Sequence, residues 1–409
     1  MAISSKQIIA RLHLWLGLAS GLIVFVVSLS GCLYVFEQEL QAIVYRDQWY
    51  VARQERPQLS AGQLLARVAR AYPETKIQRL FQRHDPPDAT VIHSAQVMLK
   101  DKRQLSVNPY TGAVLGVRNL KTDFFALTRE FHTSLMLGKT GSHIIGGAVL
   151  VYIFLLLSGL VLWWPRYRAT ISRATLSRAT ISRTALKQKF TIKWRARWRR
   201  VNYDLHSVGG FYALLLLLLI AMTGLIWSFE WWENGLYRLA GSPPRDRSTP
   251  KSTYQAGAGT YPVDRAYATV LALEAGHRAQ VGDPTESYVI LPADSVGALR
   301  VQIRYDEAAF YRKYNTFFFD QYTGNVLKGK RFSDFSAGDK ARGAAYDLHT
   351  GGWLGLPGKV LAFLASLFSA SLPVTGFLLW RGRRKKACQT LETPVQKRSW
   401  QRRSLRQPV

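Results

Sequence analysis

Cysteine is scarce in this chain of 409 residues, which has only Cys32 and Cys388. Cys32 lies in an apolar run and Cys388 in a basic tail, so neither has an obvious partner. This scarcity excludes a disulfide framework and a thiolate-rich zinc site. The polar segments must therefore fold around hydrophobic cores without disulfide support.

The chain also lacks the sequence motifs of several enzyme classes. It contains neither a Gly-rich dinucleotide fingerprint nor an HExxH helix. Zinc-dependent hydrolysis is therefore disfavoured.

Acidic residues are few: the chain has 26 Asp and Glu against 55 Lys and Arg, a net charge of +29. Segments 1–11, 165–204 and 381–409 hold 24 of the basic residues but only two acidic ones, Asp204 and Glu392. Lys and Arg accumulate on the cytoplasmic side of membrane proteins, where they also contact anionic lipid headgroups. Because no nucleic-acid recognition motif accompanies the charge, it indicates membrane topology and not nucleic-acid binding.

Charge is absent or nearly absent from four apolar runs, each long enough to cross a bilayer as a helix. Leu29-Ser30-Gly31-Cys32 resembles a lipoprotein processing site, but the apolar run continues past it, which favours an uncleaved helix. We predict a multi-pass α-helical membrane protein with both termini in the cytoplasm. Its segments are a leader (1–11), a first helix (12–36), an outer domain (37–141), a second helix (142–164), a basic loop (165–204), a third helix (205–229), a second outer domain (230–352), a fourth helix (353–380) and a basic tail (381–409).

The two outer segments have the pattern of small α+β domains. Each begins with apolar residues at helical spacing and continues with alternating residues typical of strands, residues 91–99 among them. Each also has a hairpin signal, Tyr110-Thr111-Gly112 in the first and Tyr322-Thr323-Gly324 in the second. We therefore predict an internal duplication of one unit: helix, outer domain, helix.

Four histidines precede glycines in the apolar runs at two repeated distances. The distance is 18 residues for the first and third helices, and 27 residues for the second and fourth. Two spacings, each used twice, support the duplication. The pairs are His13 with Gly31, His206 with Gly224, His132 with Gly159, and His349 with Gly376.

The predicted topology places His13 and His206 at the cytoplasmic face, and His132 and His349 at the outer face. Two imidazoles that face each other across a helical bundle form the axial ligand set of a b-type haem. We therefore expect two haems, one near each face. The alternative is that these are interfacial histidines bonded to backbone carbonyls or lipid headgroups. His143 is a spare candidate for the outer ligand.

Cations near the two faces could neutralise the haem propionates. Arg11 and Arg200 are the candidates on the inner side, and Arg129 and Arg342 on the outer side. Each could instead be an arginine that extends its charge to the interface and anchors the helix there.

The basic loop contains a five-residue repeat that begins at arginine. A step of five residues turns a helix by about 140°, so these arginines would not share one face. The repeat is either a low-complexity insertion against acidic lipid or a docking site for an acidic redox partner. The arginines are Arg168, Arg173, Arg178 and Arg183.

Several of these motifs together resemble one known family. They are Arg11-x-His13-x-Trp15-x-Gly17, His132-Thr133 with Gly138 and Gly141, Asp204-x-His206, and the Ser/Thr-Gly-x-x-x-Trp helix exits. With the Tyr-Thr-Gly hairpins, they resemble the PepSY-associated transmembrane helix family over about residues 8–385. This family comprises iron-regulated bacterial inner-membrane proteins and includes ferric-siderophore reductases.

The resemblance implies a protein of the bacterial inner membrane with two PepSY-like periplasmic domains and two haem b groups. It implies that electrons pass from a cytoplasmic donor or a quinol to a ferric siderophore in the periplasm. Reduction would weaken the complex because the hard oxygen ligands of siderophores prefer the ferric ion.

Two other functions compete with reduction. A non-enzymatic PepSY membrane protein would bind a peptidase or a signalling partner through its outer domains. A transporter would carry the intact iron chelate across the bilayer, although four helices are few for such a path.

The predicted topology can be tested by labelling cysteines with an impermeant maleimide. In intact spheroplasts we expect Asp88→Cys to be labelled in a Cys32→Ser, Cys388→Ser background. Native Cys388 should be labelled only after permeabilisation, because the basic tail is predicted to be cytoplasmic. Labelling of Cys388 in intact spheroplasts would contradict the predicted orientation.

Overall fold

The computed structural model describes residues 4–164, 189–305 and 313–391, with side chains as far as residue 383. The repeat through Arg168, Arg173, Arg178 and Arg183 lies outside these ranges. The described chain forms two compact units. The helical unit comprises Met1–Cys32, Phe131–Ser228 and Val360–Val409; the sheet unit comprises Leu33–Glu130 and Phe229–Lys359.

Helices and strands are numbered here in chain order. The helices are α1 (Ser5–Val35), α2 (Glu37–Val44), α3 (Arg46–Trp49), α4 (Ala61–Ala71), α5 (Phe124–Ser134), α6 (Gly138–Trp163), α7 (Trp198–Asp204), α8 (Gly210–Ser228), α9 (Glu230–Leu239), α10 (Val263–Leu273), α11 (Ala275–Val281), α12 (Ala337–Thr350) and α13 (Gly355–Leu391). The strands are β1 (Tyr50–Ala52), β2 (Ile77–Arg83), β3 (Val91–His93), β4 (Ala95–Leu99), β5 (Arg103–Val107), β6 (Val114–Asn119), β7 (Glu286–Ile290), β8 (Leu299–Arg304), β9 (Asn315–Phe319) and β10 (Val326–Lys330).

Four helices are long and apolar enough to cross a membrane, as the sequence predicts. They are α1, α6, the continuous stretch Trp198–Ser228 and the stretch Gly352–Arg383. The helix predicted to end at 380 continues to Leu391, because the Arg and Lys residues that follow are good helix formers. Which side of the membrane each segment faces remains a prediction.

Helices of the helical unit pack through aliphatic side chains. Leu156 of α6, Leu214 and Leu217 of α8, and Ala365 of α13 form a buried cluster. A π-helical turn, Leu205–Gly209, joins α7 to α8 and contains His206. Such turns interrupt helices mainly at functional positions.

Segments 37–141 and 230–352 do not fold as separate sheets. Their strands form one eight-stranded sheet in the order β10-β9-β8-β7-β2-β4-β5-β6. The halves join where β2 pairs antiparallel with β7, with Leu80 opposite Val289 and Phe81 opposite Tyr288. The expectation of two separate small domains is corrected: an unpaired β2 or β7 would leave an open row of backbone donors and acceptors, and their pairing satisfies both.

Residues 91–99 form two strands and not one. Ser94 breaks the run, since its N–H donates to the Trp49 carbonyl and its hydroxyl to the Gln48 carbonyl. As a result β3 pairs with β1, while β4 joins the large sheet. Alternation of apolar residues continues across such a break, which is why the sequence does not reveal it.

One face of the sheet carries the core of the sheet unit. Helices α4 and α10, one from each repeat, bury Val68 and Val270 against strand residues such as Leu80. Asp264 links the two repeats: its carboxylate accepts the Gly62 N–H at 2.8 Å and the Ser60 hydroxyl at 2.7 Å. The single core explains why the two halves fold together.

Both predicted Tyr-Thr-Gly hairpins are present. β5 pairs with β6 and β9 with β10, with Gly112 and Gly324 in the turns at φ of +69° and +75°. Positive φ is the conformation that glycine adopts without cost. A Cβ at Gly112 would meet the flexible Arg67 side chain, whereas one at Gly324 would meet the rigid Tyr261 ring.

We expect Gly112→Ala to lower the free energy of unfolding by about 1–2 kcal/mol through backbone strain. Gly324→Ala should lower it by about 1–3 kcal/mol more. The rigid Tyr261 ring cannot move away from the new Cβ, whereas the flexible Arg67 side chain can move away from a Cβ at position 112. Gly276→Ala, in α11 with open space at its Cβ position, is the control and should be neutral or stabilising. Thermal unfolding of the purified protein measures all three, and equal losses at the two turns would contradict the ring argument.

Candidate functional site

All four long helices of the helical unit line one cavity of about 390 Å³. This volume lies in the range of cofactor pockets, about 300–1,000 Å³. Its lining is largely apolar, and His13 and His206 both belong to it. Other lining residues are Gly17, Gly21, Tyr152, Phe211, Pro373 and Arg383.

The structure brings His13 and His206 together, as the sequence predicts. Their ring centres are 6.4 Å apart and their planes are nearly perpendicular, at 86°. A metal–imidazole bond is about 2.0–2.1 Å long, and a ring nitrogen lies about 1 Å from the ring centre. Two imidazoles that bind one iron from opposite sides therefore have ring centres about 6 Å apart. The distance of 6.4 Å between the His13 and His206 ring centres fits this value.

A serine of α6 fixes the tautomer of His13. The His13 Nδ1 lies 2.8 Å from Ser158 Oγ, and that hydroxyl donates its own hydrogen to the Leu155 carbonyl at 3.2 Å. A hydroxyl has one hydrogen to give. With the Ser158 hydrogen directed to Leu155, Nδ1 of His13 donates to Ser158, and the lone pair of His13 lies on Nε2, the nitrogen that can bind a metal.

A threonine of α13 does the same for His206. Nδ1 of His206 lies 2.9 Å from Thr375 Oγ1, and the one hydrogen of this hydroxyl can go to the carbonyl of Ser371 at 2.9 Å or to that of Leu372 at 3.0 Å. His206 therefore also carries its hydrogen on Nδ1 and its lone pair on Nε2. The two rings are held in the same tautomer by equivalent helix positions of the two repeats.

Glycines next to these hydroxyls make room for the rings. A Cβ at Gly159 would lie 3.5 Å from His13 Cε1, and one at Gly376 would lie 3.4 Å from His206 Cε1. A side chain larger than alanine would therefore displace the imidazole. The role of the Ser/Thr-Gly step is to accept a hydrogen bond and to leave space.

His132 has the corresponding arrangement with α1. Its Nδ1 lies 2.9 Å from the carbonyl oxygen of Val27, and a Cβ at Gly31 would lie 3.0 Å from its Cε1. A carbonyl can only accept, so His132 also carries its hydrogen on Nδ1. His13 thus contacts the glycine that follows His132 in sequence, Gly159, and His132 contacts the glycine that follows His13, Gly31.

The remaining histidine candidates lie elsewhere. His349 is in the last turn of α12, in the sheet unit. The pairing of His132 with His349 remains a prediction, since the two belong to different units. His143 is exposed on α6, with Nδ1 2.9 Å from the Lys139 carbonyl of its own helix.

The predicted propionate partners differ in their surroundings. Arg11 is exposed on α1. Arg200 forms an ion pair with the buried Asp204, Nε to Oδ2, at 3.0 Å. Arg342 contacts the buried carboxylate of Glu233, and Arg129 lies near the carboxylate of Glu37.

Sequence reasoning missed Arg383, which lines the cavity and whose charge acts on His206. It lies in a run of basic residues after Trp380 that reads as a topology signal, so nothing in the sequence separates it from its neighbours. The acceptor roles of Ser158 and Thr375 were also missed. The repeated Ser/Thr-Gly step is visible in the sequence, but the sequence does not show which histidine each step contacts.

Among the described residues, no group of three or more His, Cys, Asp and Glu side chains is placed to hold a metal ion. The site is instead a pair of imidazoles, with ring centres 6.4 Å apart and planes nearly perpendicular, that both line a largely apolar cavity.

Comparison with known proteins agrees with the architecture. No curated protein matches the chain significantly. The family model described as the PepSY-associated TM region matches residues 10–383. This match begins within α1 and includes the other three long helices and both segments of the sheet unit. The chain therefore belongs to the PepSY-associated transmembrane family.

Proposed function

We propose that this protein binds one haem b between His13 and His206 and a second between His132 and His349. It would pass electrons across the bacterial inner membrane to a ferric siderophore in the periplasm. The facing imidazoles of His13 and His206, 6.4 Å apart with Nε2 available on each, carry this proposal.

The side chains of the cavity would hold the group in three ways. His13 and His206 would each offer Nε2 to the iron, and their Nδ1 hydrogen bonds would keep the rings from turning. Arg383 supplies positive charge at one end of the cavity for a propionate. The apolar wall excludes water, which strengthens every electrostatic contact inside.

A hydrogen-bonded path leads from the cavity toward His132. Tyr152, a lining residue, bonds Ser369 at 2.8 Å, and Ser369 bonds Ser28 at 2.9 Å. Ser28 follows Val27, whose carbonyl accepts from His132. Within the helical unit, bonded atoms therefore connect the cavity with the turn that positions the second histidine.

Haem iron would supply single-electron transfer. The released product would be a ferrous ion, for which hard oxygen ligands have lower affinity. The electrons must come from a cytoplasmic protein or a quinol, since the sequence has no dinucleotide fingerprint. The basic cytoplasmic segments would attract an acidic donor protein and speed its association.

The haem content of the purified protein tests the proposal. We expect a pyridine-haemochrome assay to give two haems b per polypeptide, and His13→Ala or His206→Ala to give one. His132→Ala or His349→Ala should each remove the other haem, because an axial ligand is lost in every case.

His143→Ala is the matched control and should keep both haems. If His143→Ala lost a haem while His132→Ala kept both, His143 and not His132 would be the outer ligand. A colourless protein that stays spectrally silent after reconstitution with haem would favour the alternative, a membrane protein that binds a peptidase or a signalling partner.

The hydroxyls of Ser158 and Thr375 should set the reduction potential of the inner haem. A hydrogen bond from Nδ1 makes an imidazole more basic and so stabilises the ferric state. Ser158→Ala or Thr375→Val should therefore raise the midpoint potential by about 20–60 mV, the equivalent of one hydrogen bond. Spectroscopic redox titration measures it, and Thr375→Ser should restore the original value.

Ser371→Ala is the control for this measurement. Its hydroxyl lies one turn from Thr375 but bonds only the Phe368 carbonyl of its own helix. An equal shift in Ser371→Ala would show that general loosening of α13, and not the histidine hydrogen bond, sets the potential.

A further inference from the structure

The second face of the large sheet carries a row of side chains that is nearly symmetric. The strand register aligns one residue from each of six strands, on the face opposite α4 and α10. Read across β5, β4, β2, β7, β8 and β9, the row is Ser106, Gln96, Phe81, Tyr288, Gln302 and Thr316.

An aromatic pair lies at the centre of this row, where the two repeats meet. The rings of Phe81 and Tyr288 are 4.5 Å apart, with their planes tilted by 34°. Both side chains are only partly buried. The Tyr314 ring meets Tyr288 edge-on with its centre 5.5 Å away, so the pair belongs to an aromatic cluster on this face of the sheet.

Two arginines lie in the neighbouring row of the same face. Arg79 and Arg300 flank Ile290, one on each adjacent strand, so their Cα atoms are about 10 Å apart. Arg300 is partly buried and lies over the Phe318 ring at 5.8 Å. Its Nε is buried and has no hydrogen-bond partner within the described residues.

These arginines differ from others in the same sheet. Arg304 has Glu286 at 3.3 Å, and Arg103 has Glu74 and Asp101, both at 2.7 Å. In the part of the chain that the structure describes, no carboxylate forms an ion pair with Arg79 or Arg300. Burial lowers the pKa of Arg300, and the positive charge of Arg79 lowers it further.

Two arginines held near each other without a counter-ion favour an anionic ligand. Such a ligand would complete the hydrogen bonding of Arg300 and offset the repulsion between the two guanidinium groups. Arginine also stacks on flat π systems, as Arg300 already does on Phe318. The nearby aromatic pair adds a preference for ligands that carry rings.

We propose that Arg79, Arg300, Phe81 and Tyr288 form a binding surface for an anionic iron chelate with aromatic ligands, of the catecholate class. Only the identification of the cargo as iron rests on the proposed function. In such a chelate, dianionic catecholates outweigh the charge of the ferric ion and leave it negative. A neutral hydroxamate chelate would offer neither the charge nor the rings.

Binding can be measured without any electron transfer by replacing iron with gallium(III), which is not reduced. We would titrate the full-length protein in nanodiscs with a gallium tris-catecholate and follow tryptophan fluorescence or heat. Arg300→Gln and Arg79→Gln should each weaken binding about tenfold or more, the loss of a charge-assisted hydrogen bond. Arg103→Gln, on the same sheet but with carboxylate partners, should leave affinity unchanged.

Two further measurements separate charge from aromatic recognition. Phe81→Leu and Tyr288→Leu should weaken the catecholate but leave gallium citrate, an anion without rings, unchanged. A gallium trihydroxamate should bind weakly to all variants. Equal affinity for catecholate and citrate, or unchanged catecholate affinity in Arg300→Gln, would overturn the proposal, whatever the haem content of the sample.

Discussion

The hydrogen bond from each imidazole Nδ1 to an acceptor on a neighbouring helix is the interaction on which this structure depends. It sets the tautomer, aims Nε2 away from the acceptor and costs the fold no charged group in the membrane. In both His13 and His206 the acceptor is a hydroxyl that has already given its hydrogen to its own helix. A glycine beside that hydroxyl admits the ring. The combination accounts for the Ser158-Gly159 step beside His13 and the Thr375-Gly376 step beside His206.

Internal duplication gives the molecule two half-sites that must meet. In the helical unit, His13 comes from the first repeat and His206 from the second, so the pair forms only where the two repeats pack together. In the sheet unit, β2 of one repeat pairs with β7 of the other. Without this pairing each would be an edge strand with unpaired backbone groups. The Phe81–Tyr288 pair and the two unpaired arginines arise at that same junction. The histidine pair and this part of the sheet thus both form where the repeats join.

Prediction from sequence succeeded where the signal is local and failed where it depends on a partner. The four membrane helices follow from long uncharged runs, and the hairpins follow from glycine at positive φ. The break at Ser94 was missed because alternation continues through it, although the two strands pair with different neighbours. Arg383 was missed because its position relative to His206 is set by helix packing and not by chain order.

The sequence by itself determined the membrane class and the duplication, because hydropathy and repeated spacing are properties of the chain alone. Only the tertiary structure decided that His13 contacts Gly159 and that His132 contacts Gly31. It also decided that two outer segments share one sheet and one core. The physical reason is that helices and strands find their neighbours through surfaces. The spacing of residues along a single helix or strand does not indicate which other surface it will contact.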